Sequence, residues 1–192
     1  AERLAQVISA HGLAVPAIGT GQAWGEERLS FTSIEPAVRR AAVERIKSHI
    51  PLAKRFGALI IIGLIRGATP PRQNQATSLG YLEEALKECA AEAALHGVRL
   101  ALEPINRYET DLINSVDEGL ALLEQVGATN LGLLLDTFHM NIEERVIEES
   151  IRLCGEHIFH FHVADSNRWY PGAGHLDFRS ILSALSATGY RG

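Results

Sequence analysis

Three short stretches of the sequence place a carboxylate or a histidine at the end of an apolar run. Glu103 follows VRLAL, Asp136 follows LGLLL, and His162 closes IFHFH. Two carboxylates and one imidazole, with open positions for substrate oxygens, suit a divalent cation. Mixed oxygen and nitrogen ligands favour Mn, Co or Mg over a metal that prefers thiolates. The sequence therefore predicts a divalent metal centre at these three residues.

Each of these residues also has an alternative, structural interpretation. A carboxylate after a strand often caps the next helix or pairs with an arginine. His160 lies two residues before His162 on the same strand, and we expect it to be structural or to support a ligand. The metal hypothesis depends on all three residues lying at the same ends of successive strands. A barrel fold brings the carboxyl ends of its strands together at one rim, so the three side chains would meet there.

Apolar strands and amphipathic helices alternate along the chain. Strands are predicted at 13–18, 58–65, 98–102, 131–135 and 158–163. Helices are predicted at 1–11, 36–56, 78–96, 116–126, 143–153 and 178–187. A capping box is expected from Thr32 with Glu35, and Ser115 with Glu118 is expected to cap the helix that ends at Val126. Pro51 is expected to kink or break its helix.

This alternation implies a parallel sheet covered by helices, either an open doubly wound sheet or a (β/α)8 TIM barrel. The barrel is favoured because no Gly-rich phosphate loop follows any strand and polar residues cluster after several strands. A closed barrel has eight strands and about 250 residues. We therefore predict a single partial TIM-barrel domain over residues 1–192 that lacks the first strands and the eighth strand. A piece of a longer protein is favoured over a truncated form, because five strands alone leave sheet edges uncovered.

The composition argues against several classes of partner. Of the 192 residues, 46% are hydrophobic and 21% are charged, and the formal net charge is -5. No basic block fits a phosphate backbone, and no apolar run approaches the ~20 residues of a membrane span, so neither nucleic acid nor membrane is expected. Cys89 and Cys154 form neither a disulfide framework nor a metal knuckle, which favours a reducing, cytoplasmic compartment.

The stretches EPINRYET, LLLDTFHMNIEE and HFHVADSNRWYPGAGH resemble the ketose 3-epimerases of the D-tagatose and D-psicose type. These enzymes belong to the sugar phosphate isomerase/epimerase superfamily, which shares the xylose isomerase-like barrel. The resemblance covers nearly the whole chain. It implies that Glu103 is both metal ligand and acid/base, and that Asp136 and His162 are ligands. It also implies that Glu109, His139 and Arg168 bind the sugar.

The activity implied by the resemblance is a metal-dependent inversion of the carbon next to the ketone of a free keto sugar, through an enediolate. The implied metal is Mn, with Co or Mg as alternatives, and the partner is a small-molecule ketose or related polyol. The family's fourth ligand and second acid/base, a Glu on the eighth strand, lies beyond this chain. A homodimer or homotetramer is compatible with the sequence.

Other functions remain open at this point. A 5-keto-gluconate epimerase, an inosose dehydratase and a hydroxypyruvate isomerase share the metal site, and an inactive sugar-binding partial barrel is a further alternative. The apurinic endonuclease branch is disfavoured because the chain is acidic. Glu109 pairing with Arg107 is the structural alternative for that carboxylate, and Arg168 as a solvated loop residue is the alternative for that arginine. Arg66 is a candidate for binding an anionic end of the substrate, and the aromatic, Gly-rich loop 169–175 is suited to closing over a sugar.

Overall fold

The structure, a computed structural model, describes residues 2–192 and has the alternating strand and helix order of an α/β protein. The strands are β1 (Ala17–Ile18), β2 (Leu59–Ile62), β3 (Leu100–Leu102), β4 (Leu131–Asp136) and β5 (Ile158–His162). The helices are α1 (Glu2–Ala10), α2 (Gly21–Gly25), α3 (Pro36–Phe56), α4 (Gln75–Leu95), α5 (Val116–Val126), α6 (Thr137–Glu143), α7 (Ile147–Cys154) and α8 (Phe178–Ala187). Single turns of 3-10 helix span Leu64–Arg66 and Gly155–His157.

The five strands form one parallel sheet in the order β1-β2-β3-β4-β5. Because the spatial order follows the chain order, every crossover moves to the next strand in the same direction. A doubly wound sheet instead reverses its strand order at a switch point. The prediction of a partial (β/α) barrel with five strands is confirmed.

β2, β3 and β4 are buried on both faces, as their continuous apolar runs predict, whereas β1 and most of β5 are only partly buried. One face of β2, including Ile60 and Ile62, joins the main core under the helices. The alternate residues Leu59 and Ile61 pack with Ala101 and Leu134 in a smaller cluster on the other face. This second cluster is the inner layer of the barrel wall.

The predicted caps have mixed outcomes. Ser115 caps α5 by accepting a hydrogen bond from the Glu118 N–H at 3.3 Å, so that prediction is confirmed. The capping box at Thr32 is wrong, because this side chain is fully buried and its hydroxyl donates to the carbonyl of Ala68 at 2.7 Å. Glu35 is the N-cap of α3 and makes no side-chain cap.

Several boundaries also differ from the predictions. α3 continues unbroken through Pro51, so the predicted break is wrong; buried residues on both sides, such as Ile50 and Ala53, hold the helix on the core. α2 and α6 were not predicted, because each is only five to seven residues long. The strand predicted at 13–18 shortens to β1, and Ala1 of the predicted first helix lies outside the described residues. No helix within residues 2–192 is both long and apolar enough to cross a membrane.

An ion-pair cluster joins α3 to α4 on the outside of the barrel wall. Glu88 accepts hydrogen bonds from Arg40 at 2.5 and 2.9 Å and from Lys47 at 2.5 Å. These hydrogen bonds, from Arg40 first and then Lys47, lower the pKa of Glu88 to about 2. The cluster therefore stabilises the fold only while Glu88 is ionised.

We expect Glu88→Gln to lower the free energy of unfolding by about 1 kcal/mol near neutral pH, because the exposed side of the cluster is screened by solvent. Since the folded pKa is depressed, this stabilisation is present above the unfolded value of 4.5 and is lost as the pH falls towards about 2. Urea unfolding over a pH series measures the difference. Glu84→Gln on the exposed face of α4 is the matched control. If the difference in free energy of unfolding between the wild type and Glu88→Gln stayed constant down to acidic pH, ionised Glu88 would not be the source of this stabilisation.

Candidate active site

Glu103, Asp136 and His162 meet at the carboxyl ends of β3, β4 and β5. Asp136 and His162 are direct neighbours in the register of β4 and β5. The His162 Nδ1 lies 3.6 Å from the Asp136 Oδ2 and 4.0 Å from the Glu103 Oε1. The structure thus brings together the three residues that the sequence predicts as metal ligands.

A second histidine faces the same carboxylates. His139 lies in the first turn of α6, directly after β4, and only 4% of it is exposed. Its Nε2 is 3.9 Å from the Glu103 Oε1. Glu103, Asp136 and His139 each offer one ligand atom within 4.8 Å of the others, a group that could hold a metal ion. Two imidazoles therefore flank one pair of carboxylates.

The pKa values of the two carboxylates are shifted in opposite directions. Burial, and then the charge of Asp136, raise the pKa of Glu103 to about 7. Burial also acts to raise the pKa of Asp136, but His162, His139 and the Phe138 N–H at 2.8 Å outweigh it and hold that pKa below its usual range. The interaction with Asp136 raises the pKa of His162. The two carboxylates thus favour a positive charge beside them, and a divalent cation bound there would take the place of the His162 proton, since His162 can bind a metal only as neutral imidazole.

Glu109 and Arg168, predicted as sugar-binding residues, contact each other at the rim of this group. The Arg168 Nη1 donates to the Glu109 Oε1 at 3.0 Å, and the Arg168 guanidinium lies 4.9 Å from the centre of the Phe138 ring. The alternative pairing of Glu109 with Arg107 is wrong, because Arg107 donates from its backbone N–H and from its guanidinium to Glu143. The five charged or polar side chains predicted in and around the metal centre, together with His139, form one connected site.

The sequence profile described as the xylose isomerase-like TIM barrel matches residues 1–192. The chain belongs to this barrel family.

Two curated proteins that are similar to this chain are ketose 3-epimerases. A ketose 3-epimerase of Arthrobacter globiformis is 34% identical over 188 residues, which are 96% of this chain and 63% of that protein. An L-ribulose 3-epimerase of Methylomonas sp. is 36% identical over 167 residues, 84% of this chain and 57% of that protein. The chain thus spans about three fifths of the length of these curated relatives.

Solved structures show the same similarity. An L-ribulose 3-epimerase superposes with a TM-score of 0.82 at 36% identity, covering 98% of this chain and 63% of that one. A D-allulose 3-epimerase from Methylomonas sp. in complex with D-allulose has a TM-score of 0.84 at 31% identity, covering 97% and 64%. The resemblance to ketose 3-epimerases stated from the sequence motifs is confirmed.

Two residues that sequence reasoning missed hold the segment 103–109 of this barrel in place. Glu143 has a side chain only 6% exposed and accepts the bonds from Arg107. Asn106 is 2% exposed and donates from Nδ2 to the Glu109 Oε1 at 3.0 Å and to the His139 Nδ1 at 2.7 Å. Asn106 lies inside the EPINRYE motif, which was the available signal, whereas nothing in the sequence pairs Glu143 with Arg107.

Arg66 lies behind Glu103 instead of at an open binding surface. It is fully buried, and its Nη1 donates to the backbone carbonyl of Glu103. Its Nε and Nη2 have no hydrogen-bond partner among the described residues. Burial lowers the pKa of Arg66 to about 10, and the charge of Glu103 opposes that shift. The expectation that Arg66 meets an anionic substrate is wrong in this buried position; it supports the end of β3.

Asp165, also missed, organises the loop that carries Arg168. Its carboxylate is buried and accepts the backbone N–H groups of Ser166 at 2.7 Å, Gly172 at 2.8 Å and Leu176 at 3.2 Å. Burial acts to raise the pKa of Asp165, but backbone N–H donors, first that of Gly174 and then those of Ser166, Leu176 and Gly172, hold it well below its usual range. Its own carbonyl accepts from the Arg168 N–H at 2.7 Å in a turn where Arg168 has a φ of 64°. Asp165 therefore places Arg168 against Glu109.

Proposed function

We propose that this barrel is part of a divalent-metal-dependent epimerase that inverts the carbon next to the ketone of a free keto sugar. The observation that carries the proposal is the convergence of Glu103, Asp136 and two histidines at the carboxyl ends of adjacent strands. Relatives named as ketose, L-ribulose and D-psicose 3-epimerases support the reaction, and the relative bound to D-allulose supports a free ketose as substrate.

The metal in this proposal is held by Glu103, Asp136 and His162. Mn is the proposed ion, with Co or Mg as alternatives, because the donors are oxygen and imidazole nitrogen. When bound, the cation supplies a Lewis acid that stabilises negative charge developing on the substrate oxygens.

The protein's own residues transfer the proton and bind and orient the sugar. Glu103 accepts the proton from the carbon next to the ketone, which gives an enediolate. His139 donates a hydrogen bond from Nε2 to a substrate oxygen, and Glu109 with Arg168 orients the sugar hydroxyls. The resemblance implies a second acid on an eighth strand, which returns the proton to the opposite face and inverts the carbon.

The experiment that tests this proposal follows loss of the C3 proton from D-fructose and D-tagatose in D2O, using the full-length protein of which this barrel is proposed to be a part. We expect exchange and epimer formation with added Mn, loss of both after treatment with a chelator, and recovery when Mn is returned. Exchange that persists in the metal-free protein would contradict the metal requirement. A panel with 5-keto-gluconate and hydroxypyruvate separates ketose epimerisation from the related activities with the same metal site.

We expect His162→Ala to weaken Mn binding by about 100-fold or more, since even supporting residues around a metal typically contribute 10- to 100-fold to affinity. Isothermal titration of the metal-free protein with Mn measures the change. His157→Ala is the matched control, because His157 lies in the 3-10 turn that precedes β5, at the opposite end of the strand. Equal affinities for the wild type and His162→Ala would remove His162 from the ligand set.

A further inference from the structure

We propose that Asn106 is a positioning residue that fixes the tautomer of His139, so that Nε2 carries the proton and His139 is a hydrogen-bond donor and not a metal ligand. The identity of the group that receives this hydrogen bond, a sugar oxygen, rests on the proposed function. The tautomer itself is a property of the folded protein. It also decides which of the two histidines beside Glu103 is free to bind a cation.

Hydrogen bonds to both the Oδ1 and the Nδ2 of Asn106 fix the orientation of its side-chain amide. Its Oδ1 accepts the backbone N–H of Tyr108 at 3.0 Å, and its Nδ2 donates to the Glu109 Oε1 at 3.0 Å. A backbone N–H can only donate, and an ionised carboxylate can only accept. Rotating the amide by half a turn would place two donors together at Tyr108 and two acceptors together at Glu109. The NH2 group therefore faces Glu109 and His139.

The His139 Nδ1 consequently meets only donors. The Asn106 Nδ2 lies 2.7 Å away, and the Asn106 backbone N–H approaches the same ring nitrogen at 3.4 Å. A neutral imidazole has one N–H and one lone pair. Because Nδ1 must accept, the lone pair lies there and the proton lies on Nε2. Both residues are at least 96% buried, so an unpaired Nδ1 could not be satisfied by bulk water without cost.

The protonated nitrogen is the one that faces the site. The His139 Nε2 lies 3.9 Å from the Glu103 Oε1 and has no lone pair to offer a cation in this tautomer. The His162 Nδ1 faces both carboxylates and makes no comparable bond to a fixed donor among the described residues. The geometry thus separates two histidines that distance alone treats alike: His139 donates, and His162 is the ligand.

The direct test is nitrogen NMR of the full, metal-free chain with 15N-labelled histidine. Long-range 1H–15N correlations distinguish an imidazole protonated on Nε2 from one protonated on Nδ1. We expect the Nε2–H form for His139 in the wild type at a pH where the ring is neutral. In Asn106→Asp, an acceptor replaces the donor, and we expect the proton to move to Nδ1. An Nδ1–H form in the wild type, or an unchanged Nε2–H form in Asn106→Asp, would overturn the inference.

A matched control is Asn114→Asp. Asn114 lies in the same loop, and its Nδ2 donates to the carbonyls of Ile105 and Thr110. We expect this variant to lose stability but to retain the Nε2–H signature of His139, which separates a loosened loop from a changed tautomer. Loss of the signature in Asn114→Asp as well would show that the tautomer depends on loop packing in general and would overturn the specific role of Asn106.

Metal binding provides a second readout that does not need turnover. We expect His139→Gln to bind Mn within about threefold of the wild type, while His162→Ala loses about 100-fold. The reverse order would overturn the inference. For turnover, Asn106→Asp should lower kcat by about 100-fold, the contribution of one donor to a developing oxyanion, with little change in Mn affinity. If the wild type shows the expected tautomer but no sugar turnover, the proposed function fails and the assignment of Asn106 stands.

Discussion

Replacing Glu103 with glutamine should lower kcat for proton exchange from a ketose by about 10³-fold, within the range for loss of a positioned general base. Glutamine has nearly the same shape but cannot accept the substrate proton at neutral pH. It also has one less charge for the cation that Asp136 and Glu103 would share. The measurement is exchange of the C3 proton in D2O at saturating Mn, so that weaker metal binding does not mask the chemical step.

Stability measurements separate this loss from a loss of fold. In the metal-free protein, burial and Asp136 raise the pKa of Glu103 to about 7. A raised carboxyl pKa means that ionised Glu103 opposes folding, and that this cost grows as the pH rises above the unfolded value. Metal-free Glu103→Gln should therefore be at least as stable as the wild type at alkaline pH. Glu124→Gln, on the exposed side of α5, is the control and should leave both properties unchanged. Turnover of Glu103→Gln within tenfold of the wild type would rule out Glu103 as the base.

Replacing Asp165 with alanine should lower kcat/KM by about 100-fold, mainly through a higher KM, because a small displacement of an orienting group has an effect of this size. The buried carboxylate holds the N–H groups of Ser166, Gly172 and Leu176, and Arg168 leaves this turn with a positive φ. Without it, Arg168 would no longer be held against Glu109. Steady-state kinetics with D-tagatose or D-allulose measure the change.

Two further variants sharpen this test. A Cβ added at Gly174 would lie 2.2 Å from the Asp165 Oδ1, so Gly174→Ala displaces the same carboxylate without removing it. We expect Gly174→Ala to raise KM in the same direction as Asp165→Ala. Asp117→Asn, at the exposed start of α5, is the control for removing an acidic charge. An unchanged KM in both loop variants would show that Arg168 is positioned without Asp165.

The same loop is the aromatic, Gly-rich segment that the sequence suggests as a cover for the sugar. Trp169 and Tyr170 are 66% and 70% exposed, and their rings lie 6.3 Å apart. They are therefore free of the core, while the adjoining Asp165 is fixed in it. A fixed base with exposed aromatic side chains is compatible with contact to a sugar ring, and it makes the loop variants informative about substrate binding.

Much of the architecture was predictable because it depends on local patterns. Apolar runs such as LGLLL are typical of strands buried on both faces of a parallel sheet, and the amphipathic segments between them supply the helices that cover it. Parallel strands also align their carboxyl ends, so Glu103, Asp136 and His162 could be placed together without coordinates. Short elements were not predictable, because α2 and α6 contain too few residues for a helical period to show.

Predictions made from neighbouring residues were wrong where a side chain bonds to a residue that is distant in the sequence. Thr32 with Glu35 matches a capping box, yet the Thr32 hydroxyl donates to Ala68, which is 36 residues away. Arg66 matches a surface ligand for an anion, yet the structure buries it behind Glu103. In both cases a buried hydrogen bond made in the tertiary structure replaces the interaction that the neighbouring sequence suggests.

The sequence by itself thus determined the alternating α/β order and which residue types reach the rim of the barrel, since periodicity and strand direction follow from the order of residues. Only the tertiary structure decided how those residues are paired. Asn106 meets His139 across 33 positions, and Arg168 meets Glu109 across 59. The physical reason is that hydrogen bonds have strict distances and directions, so a donor's partner is set by the packing of separate elements and not by spacing along the chain.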